Sequence, residues 1–432
     1  MNYKRLTNFY DVLPLLPDKP EDSWKQSVKW RAVEETFRET CRRFGYREIR
    51  TPMLEETALF TRSVGESSDI VSKEMYSFLD KGEHAVTLKP EGTAPVVRAC
   101  IENGLFATNP VLKLYYQSQH FRYEHGQKGR YRQHQQLGVE VFGSADPAID
   151  AEVILLAMEF YRQVGITEQT LKINSLGIPE SRAIYREKLK EYVRPFLSKK
   201  SKEAQNRFET NPLRLLDTKD ESEIELLENA PRLLDSVDAE SRAHFDTLLS
   251  YLDISGVPYV IDHRLVRGFD YYTRTTFEIV SDNLGAQNAL GGGGRYDQLV
   301  EQCGGAPLPG IGFGLGTERL LLVLDALGIA PELTDERPIA FMVTLGNAEV
   351  TRPAAVKVLQ ELRQAGIASD MDYRPGSKFG AQAKRADDLG ARYLVILGED
   401  EIAKGVAGLR NQATKQQQEI SLTELTQTLL SL

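Results

Sequence analysis

Residues 113–143 read KLYYQSQHFRYEHGQKGRYRQHQQLGVEVFG, and they predict the centre of the fold. The stretches 113–124 and 135–143 have the apolar and aromatic content of β-strands. Between them, 125–132 carries the glycines and charges of an exposed hairpin tip. Because a tight hairpin joins antiparallel strands, this stretch predicts an antiparallel sheet.

Charged side chains occur within both predicted strands. We expect Arg122 and Glu124 to lie on the first strand, where a charge should face a ligand or a partner. Gln136 and Glu140 lie four residues apart on the second strand and therefore share one face. Basic residues interleaved with tyrosines around the hairpin suit a nucleotide phosphate or an RNA end.

Two glycine-rich stretches indicate close approach of the backbone to a ligand. In GFGLGTERLLL (312–322), alternate glycines would let a ligand lie flat on a strand, and Arg319 follows in the first turn of an apolar helix. In LGGGGRYD (290–297), the glycines form either a flexible turn or a similar approach. A dinucleotide fingerprint would need the spacing G-x-G-x-x-G, and no Walker lysine follows.

Two further stretches contain polar residues that packing does not explain. LVRGFDYYTRTTFEIV (265–280) places Arg267 and two tyrosines just before a predicted strand. In LKPEGTAP (88–95), Glu91 lies at a strand-to-helix corner. It either interacts with the helix N-terminus or, with Thr93, accepts hydrogen bonds from a ligand ammonium group.

Three arginines and two glutamates, Arg122, Arg267, Arg319, Glu91 and Glu140, are thus expected together on one antiparallel sheet. Arginine keeps its proton at neutral pH, so these residues suit phosphoryl oxygens. The glutamates suit an amine or an imidazole N–H.

The spacing of Trp30, Val33, Phe37 and Cys41 predicts the buried face of a helix that ends at Gly45. The whole chain has 432 residues, with 41% hydrophobic and 27% charged residues, which suits two or three globular domains. Its net charge of −9 argues against non-specific coating of nucleic acid, although a local basic patch can still read one RNA.

Three unpaired cysteines predict neither a disulfide framework nor a structural metal. The N-terminus lacks an apolar signal region, and there is no run of about 18 apolar residues. A cytoplasmic protein without membrane segments is therefore expected.

The predicted fold class is α+β. A catalytic domain over 1–330, with a mainly antiparallel sheet flanked by helices, is interrupted by a charged helical insertion at 175–259. After a linker, 337–432 alternates strands and helices, which predicts a separate α/β domain with a largely parallel sheet.

These motifs together resemble histidyl-tRNA synthetase, a class II aminoacyl-tRNA synthetase, over nearly the whole chain. Three stretches look like the class II motifs in order: WRAVEETFRETCRRFGYREIRTPMLE (30–55), HFRYEHGQKGRYRQHQQLGVEVFG (120–143) and GIGFGLGTERLLL (310–322). LVRGFDYYTRTTFEI (265–279) and LGGGGRYD (290–297) resemble the two signatures of the histidine enzyme.

The resemblance implies a role for each site residue. Arg122 and Arg319 would hold the α- and γ-phosphates of ATP, with Glu124 also at the ATP site, and Arg267 would contact the substrate carboxylate and the α-phosphate. Arg267 and Arg122 would thus be catalytic. The histidine-binding residues would be Glu91 and Thr93 at the α-amino group, Glu140 and Tyr272 at the imidazole, and Gln136 and Tyr296 beside the substrate. Tyr271 is expected to pack beneath the site.

The resemblance also implies the reaction and the partners. The protein would activate L-histidine with ATP and Mg²⁺ and transfer it to the 3′-end of tRNA-His. Gln127, Lys128 and Arg130 would approach the tRNA acceptor end. The 337–432 domain would bind the anticodon, and the first motif would form a homodimer interface.

The chain departs from the family at His125 and Gly126, where a basic or polar residue and a proline are usual. Two alternatives stay open at this point. One is the catalytically silent paralogue that serves as a regulatory subunit of ATP phosphoribosyltransferase, which typically lacks the arginine–tyrosine signature and the tail domain. The other is a non-enzymatic RNA-binding module derived from a synthetase.

Overall fold

A computed structural model describes residues 3–14, 19–65, 68, 70–124, 126, 129–197, 202, 205, 208–209, 212–218, 220–281, 289–331 and 337–432. The chain divides into two compact units, Met1–Leu333 and Thr334–Leu432. The first contains a large, mainly antiparallel sheet with helices on both faces, and the second contains a smaller sheet with helices. The predicted fold class is confirmed.

The helices with described bounds are α1 Ser27–Arg43, α2 Thr57–Val64, α3 Thr93–Glu102, α4 Leu105–Thr108, α5 Pro147–Gln163, α6 Pro179–Leu197, α7 Glu221–Leu227, α8 Ala239–Ile254, α9 Leu299–Gln302, α10 Thr317–Leu327, α11 Ala348–Gln364, α12 Phe379–Asp388, α13 Glu399–Lys404 and α14 Leu422–Ser431. Short 3₁₀ segments occur at Pro20–Lys25, Pro212–Asp217 and Leu233–Asp235, and a π-helical turn at Ile70–Glu74.

The strands are β1 Arg47–Glu48, β2 Leu54–Glu56, β3 Tyr76–Leu79, β4 Ala85–Leu88, β5 Leu112–Phe121, β6 Gln133–Phe142, β7 Thr170–Ser175, β8 Tyr259–Ile261, β9 Thr273–Val280, β10 Ala289–Arg295, β11 Gly310–Gly316, β12 Ala340–Thr344, β13 Ser369–Met371, β14 Tyr393–Leu397, β15 Val406–Asn411 and β16 Gln417–Ser421.

The large sheet has the strand order β1-β5-β6-β11-β10-β9-β7-β8. All its pairs are antiparallel except the two at its ends, β1 with β5 and β7 with β8. Strands β5 and β6 pair from Leu112 with Phe142 to Phe121 with Gln133, which confirms the predicted antiparallel pair. A separate three-stranded sheet, β2-β4-β3, precedes α3.

Two hydrophobic clusters cover opposite faces of the large sheet, because alternate residues of a strand point to opposite sides. The first cluster packs α1, α5, α8 and α10 on one face and includes Phe37 of α1 and Val139 of β6. The predicted face of α1 is buried there, and Gly45, at φ 79°, ends that helix as expected. The second cluster packs α3 and α6 on the other face and includes Tyr272 and Tyr296.

The predicted insertion at 175–259 contains α6, α7 and α8. Its last helix, α8, packs against α5 in the first cluster through Phe245, Leu248 and Leu252. Strands β7 and β8 are parallel neighbours, and parallel strands require a crossover connection. The stretch therefore ends in a helix that belongs to the main core.

The second unit has the strand order β13-β12-β14-β15-β16. Strand β12 is parallel to both β13 and β14, whereas β14–β15 and β15–β16 are antiparallel. The prediction of a largely parallel sheet therefore holds for β12–β14 only. It misses the hairpin of β15 and β16, whose mixed polar sequence gives a weak strand signal.

Candidate active site

A cavity of about 240 Å³ lies on the sheet face that α3 and α6 cover. The predicted site residues that line it are Glu91, Thr93, Arg122, Glu124, Arg130, Gln136, Arg267, Tyr272, Tyr296 and Arg319. Glu140 lies fully buried beside them, within hydrogen-bond distance of Thr93 and Tyr296. Two predicted residues, Gln127 and Lys128, lie outside the described residues.

Glycines on β11 make room for two site side chains of β6. A Cβ atom at Gly312 would overlap the carboxylate of Glu140, and one at Gly314 would overlap the amide of Gln136. Both glycines also line the cavity, so the expected approach of a ligand to this strand stays a prediction. The glycines let the neighbouring strand's polar side chains lie flat across the sheet, so that the cavity floor itself is polar.

The glycine run of β10 serves the same purpose. A Cβ atom at Gly292 would lie 2.8 Å from Nη1 of Arg267, and one at Gly294 would lie 3.0 Å from the ring of Tyr272. Of the two interpretations left open, the flexible turn is wrong, because the run is a strand between β9 and β11. Backbone carbonyls of the neighbouring strands also lie close to these glycines, and the approach of a ligand to Gly291 and Gly292, which line the cavity, stays a prediction.

Glu140 accepts hydrogen bonds from three hydroxyl groups. Thr93 Oγ1 donates over 2.7 Å, Tyr116 Oη over 3.4 Å, and Tyr296 Oη donates through a shorter contact. Burial raises the pKa of Glu140 to about 8, although these donors oppose the shift. The carboxyl group of Glu140 therefore stays protonated to a higher pH than an exposed carboxyl group does.

Glu91 caps α3. Its carboxylate accepts the backbone N–H of Thr93 over 2.6 Å and of Ala94 over 2.9 Å. The helix-terminus interpretation is therefore confirmed, while the residue also lines the cavity. Burial raises the pKa of Glu91, and the two backbone donors oppose that shift.

Arg122 and Glu124 lie just beyond β5, which ends at Phe121, so their predicted location on the strand is wrong. The backbone N–H of Arg122 still bonds the carbonyl of Arg132, and its Nε donates to the carbonyl of Pro90 over 2.8 Å. Glu124 pairs with Arg130 at 3.4 Å. Both Arg122 and Glu124 line the cavity.

Arg267 crosses the sheet to β9, where its Nη1 lies 3.2 Å from Oε1 of Glu278. Its guanidinium carbon lies 5.7 Å from the centre of the Tyr272 ring. The Nε atom of Arg267 is buried and has no hydrogen-bond partner within the described part of the chain.

Arg319 lies in the first turn of α10, as predicted, and donates to the carbonyls of Gly129 over 3.3 Å and of Ala289 over 3.2 Å. Its neighbour Glu318 is held by different partners. Glu318 accepts the backbone N–H of Gln135 over 2.7 Å and a short hydrogen bond from the hydroxyl of Tyr10.

Tyr271, which the sequence placed beneath the site, packs among aromatic rings and also lines the cavity. It is buried, stacks on Phe269 with ring centres 5.1 Å apart and contacts Tyr272 and Tyr296 edge-on or tilted. Burial raises its pKa well above the usual value, so the hydroxyl stays protonated.

Sequence reasoning missed several residues of the site, namely Tyr116, His134 and Glu278. Tyr116 fits between two glycines, because a Cβ atom at either Gly92 or Gly138 would overlap its ring. The glycine inside β6 was the available signal for Tyr116, and the acid between Phe277 and Ile279 of β9 was the signal for Glu278.

The described residues contain neither a metal-binding cluster nor a membrane-spanning helix. No group of three or more His, Cys, Asp or Glu side chains among them could hold a metal ion. Within the same part of the chain, no helix is long and apolar enough to cross a membrane.

The mainly antiparallel sheet and the arginine-lined cavity are the arrangement of a class II aminoacyl-tRNA synthetase. Comparisons with known proteins agree with this class. The family model described as Histidyl-tRNA synthetase matches residues 21–320, and the one described as Anticodon binding domain matches residues 339–432. The chain belongs to the histidyl-tRNA synthetase family.

Individual relatives cover nearly the whole chain. A histidine--tRNA ligase of Desulforamulus reducens is 50% identical over 397 residues, which are 92% of this chain and 94% of that protein. One of Bacillus velezensis is 49% identical over 409 residues, 94% and 95% of the two chains. The crystal structure of apo S. aureus histidyl-tRNA synthetase matches with a TM-score of 0.81 at 38% identity, covering 99% of this chain and 100% of that one.

Proposed function

We propose that this protein is a histidine--tRNA ligase that forms histidyl-adenylate from histidine and ATP and then transfers the histidyl group to tRNA-His. The observation that carries the proposal is one cavity that joins three guanidinium groups to a buried carboxylate. Arg122, Arg267 and Arg319 line it, and Glu140 lies at its base. Phosphates and an imidazole are the chemical groups that this combination complements.

The arginines act on the phosphates. In the first step, the histidine carboxylate attacks the α-phosphorus of ATP, the bond to pyrophosphate breaks, and negative charge grows on the α-phosphoryl oxygens. Arg267 and Arg122 stabilise that charge, and Arg319 holds the γ-phosphate. Because these cations are fixed before the reaction, their interaction strengthens in the transition state without reorganisation.

The imidazole of histidine is recognised by Glu140 and the hydroxyl of Tyr272. Neutral imidazole offers one donor and one acceptor, so a carboxylate and a hydroxyl satisfy both nitrogens. The three hydroxyls around Glu140 support this role, since they keep its acceptor oxygens in place. A wrong amino acid would leave buried polar groups unpaired, which can discriminate by roughly 10⁴-fold without editing.

Glu91 and Thr93 bind the α-amino group of histidine, with Gln136 and Tyr296 beside the substrate. Glu91 uses its two oxygens to accept backbone N–H groups at the α3 N-terminus, and a carboxylate oxygen can accept a further bond from an ammonium group. The cap therefore fixes the carboxylate where the substrate amine arrives.

Mg²⁺ would enter with ATP. The ion usually keeps several waters and binds one or two carboxylates together with substrate phosphates. Glu124 and Glu278 line the cavity and would hold it, and both act electrostatically on Arg319. When bound, the ion would neutralise charge on the departing pyrophosphate.

The RNA contacts and the assembly are proposals of the same kind. Arg130, beside the cavity mouth, and the adjacent Gln127 and Lys128 would meet the tRNA acceptor end, and residues 337–432 would bind the anticodon. The 30–55 stretch would form a homodimer in the cytoplasm; β1 lies at an edge of the large sheet, and Met53 and Leu54 are exposed. Light scattering of the purified chain would test the dimer, and a monomer would refute it.

Histidine-dependent ATP–pyrophosphate exchange followed by charging of tRNA-His tests the main proposal. We expect both activities from the purified chain. Folded protein that exchanges but does not charge tRNA would refute the transfer step. Folded protein that lacks both activities would favour the regulatory-subunit or RNA-binding alternatives.

A further inference from the structure

Beside the active-site cavity lies a larger one of about 570 Å³, which separates the signature segment 265–272 from α6 and the 3₁₀ segment Pro212–Asp217. Arg182 and Arg186 of α6 line it, together with Arg267 and Phe269 of the signature segment. Among the described residues around this cavity, a side chain of α6 donates a hydrogen bond directly to the signature segment.

That side chain is Arg182, whose Nη1 donates to the backbone carbonyl of Tyr272 over 2.5 Å. The Arg182 guanidinium is largely buried, and burial lowers its pKa. Its acidic neighbour Asp270 opposes that shift, while Arg186 reinforces it. A buried cation is costly unless it has a defined interaction to make, and the Tyr272 carbonyl supplies one.

Hydrogen bonds to neighbouring elements fix the position of the first turn of α6, from which Arg182 makes this contact. Two backbone hydrogen bonds join the chain before α6 to the strand after Tyr272: Leu176 donates to Arg274 over 2.6 Å, and Arg274 donates to Gly177 over 2.9 Å. Ser181 of the same turn bonds Asp238 at the start of α8. Arg182 therefore projects from a fixed base.

The signature segment itself lies outside helices and strands, so side chains hold it. Arg264, near its start, donates to the carbonyls of Leu216 over 3.3 Å and Thr218 over 3.0 Å. Hydrogen bonds thus join both ends of the segment to residues in the connection between β7 and β8. The Tyr272 ring fits closely over Gly294, so a small movement of its backbone moves the hydroxyl within the cavity.

We propose that Arg182 is a positioning residue for histidine recognition, acting through the Tyr272 carbonyl, so that the connection between β7 and β8 sets the geometry of the imidazole site. This inference rests on the proposed function. It predicts a larger effect on the KM for histidine than on the KM for ATP, because Arg122 and Arg319 of the ATP site donate to carbonyls outside the signature segment, those of Pro90 and Gly129.

The test measures KM for histidine and for ATP in pyrophosphate exchange with full-length protein. We expect Arg182→Met to raise the KM for histidine about tenfold, because the variant loses one charge-assisted hydrogen bond. The KM for ATP should stay within about twofold of the parent value. Arg182→Lys retains a donor and a charge and should recover most of the loss. KM does not depend on the fraction of folded enzyme, so poor folding alone cannot produce this result.

Arg186→Met is the matched control, since Arg186 lies one turn further along α6 and lines the same cavity. We expect both of its KM values to stay within about twofold of the parent's, because Arg186 does not hold the Tyr272 carbonyl. A second control combines Arg182→Met with Tyr272→Phe. If Arg182 acts through Tyr272, its effect in that background should be under about threefold.

The outcomes separate the two levels of inference. Parent protein without histidine-dependent exchange would refute the proposed function. If the parent protein is active, three results would refute the role of Arg182 alone. These are an unchanged histidine KM in Arg182→Met, an equal rise in both KM values, and a tenfold effect of Arg182→Met in the Tyr272→Phe background.

Discussion

Replacing Tyr296 by Phe removes one of the three hydroxyl donors to Glu140 and keeps the ring. The ring packs against Phe142 and Tyr271, so the substitution leaves the apolar contacts intact. Among the donors that lower the pKa of Glu140 against the effect of burial, Tyr296 contributes most. The pKa of about 8 should therefore rise in the variant.

The size of the rise follows from the lost hydrogen bond. A hydrogen bond to a charged group contributes about 1.5–3 kcal/mol. One pKa unit corresponds to about 1.4 kcal/mol, so the pKa of Glu140 should rise by roughly one to two units. Ionised Glu140 accepts a hydrogen bond from the imidazole N–H. At a pH below the pKa of Glu140, the carboxyl group must lose its own proton before it can accept this bond. The KM for histidine should thus fall as pH rises toward the pKa, and below both pKa values it should be about 10- to 100-fold higher in the variant.

Pyrophosphate exchange measured across pH gives this profile directly. Histidine's own ionisations are common to both proteins and cancel in the comparison. Tyr161→Phe is the matched control, because the Tyr161 hydroxyl is buried and bonds no atom of the described chain. A Tyr296→Phe profile that superimposes on the parent's, at every pH, would refute the assignment of Glu140 as the ionising acceptor.

Three further changes test the site and a buried ion pair outside it. Arg267→Ala should retain histidine and ATP binding but slow single-turnover adenylation by about 100- to 1,000-fold; an unchanged rate would contradict its catalytic role. Arg295→Met leaves the fully buried Asp150 without its guanidinium partner and should lower the free energy of unfolding by about 3–5 kcal/mol in urea titrations, whereas Arg242→Met at an exposed ion pair should change it little. Folding raises the pKa of Glu140, so its contribution to stability is full below the unfolded pKa of about 4.3 and is lost as pH rises through about 8. The stability of Glu140→Gln relative to the parent should therefore increase with pH in that window, and a pH-independent difference would be evidence against the raised pKa.

The glycines illustrate how far the sequence leads. Their alternation on β11 predicts a surface without side chains at alternate positions, and this is correct for the strand itself. What covers Gly312 and Gly314 depends on β6 being the neighbouring strand, in a register that pairs Gly312 with Glu140. Neither the neighbour nor the register is encoded in the spacing of glycines, so the sequence could not show that Glu140 and Gln136 lie against glycines that also line the cavity.

Glu91 shows the same limit at a single residue. The strand-to-helix corner predicts both a helix cap and a ligand contact, and the sequence offers no ground for choosing between them. In the structure, the carboxylate of Glu91 both caps α3 and lines the cavity, because the start of α3 points at the site.

The sequence by itself determined the hairpin of β5 and β6, the buried face of α1 and the set of charged residues that needed a ligand. These features follow from periodicity and turn chemistry over a few neighbouring residues. Only the tertiary structure decided which groups act together, since Tyr296 and Glu140 are 156 positions apart in the chain and Arg182 is 90 positions from Tyr272. Such pairs depend on strand order and register, which long-range packing fixes and local patterns do not contain.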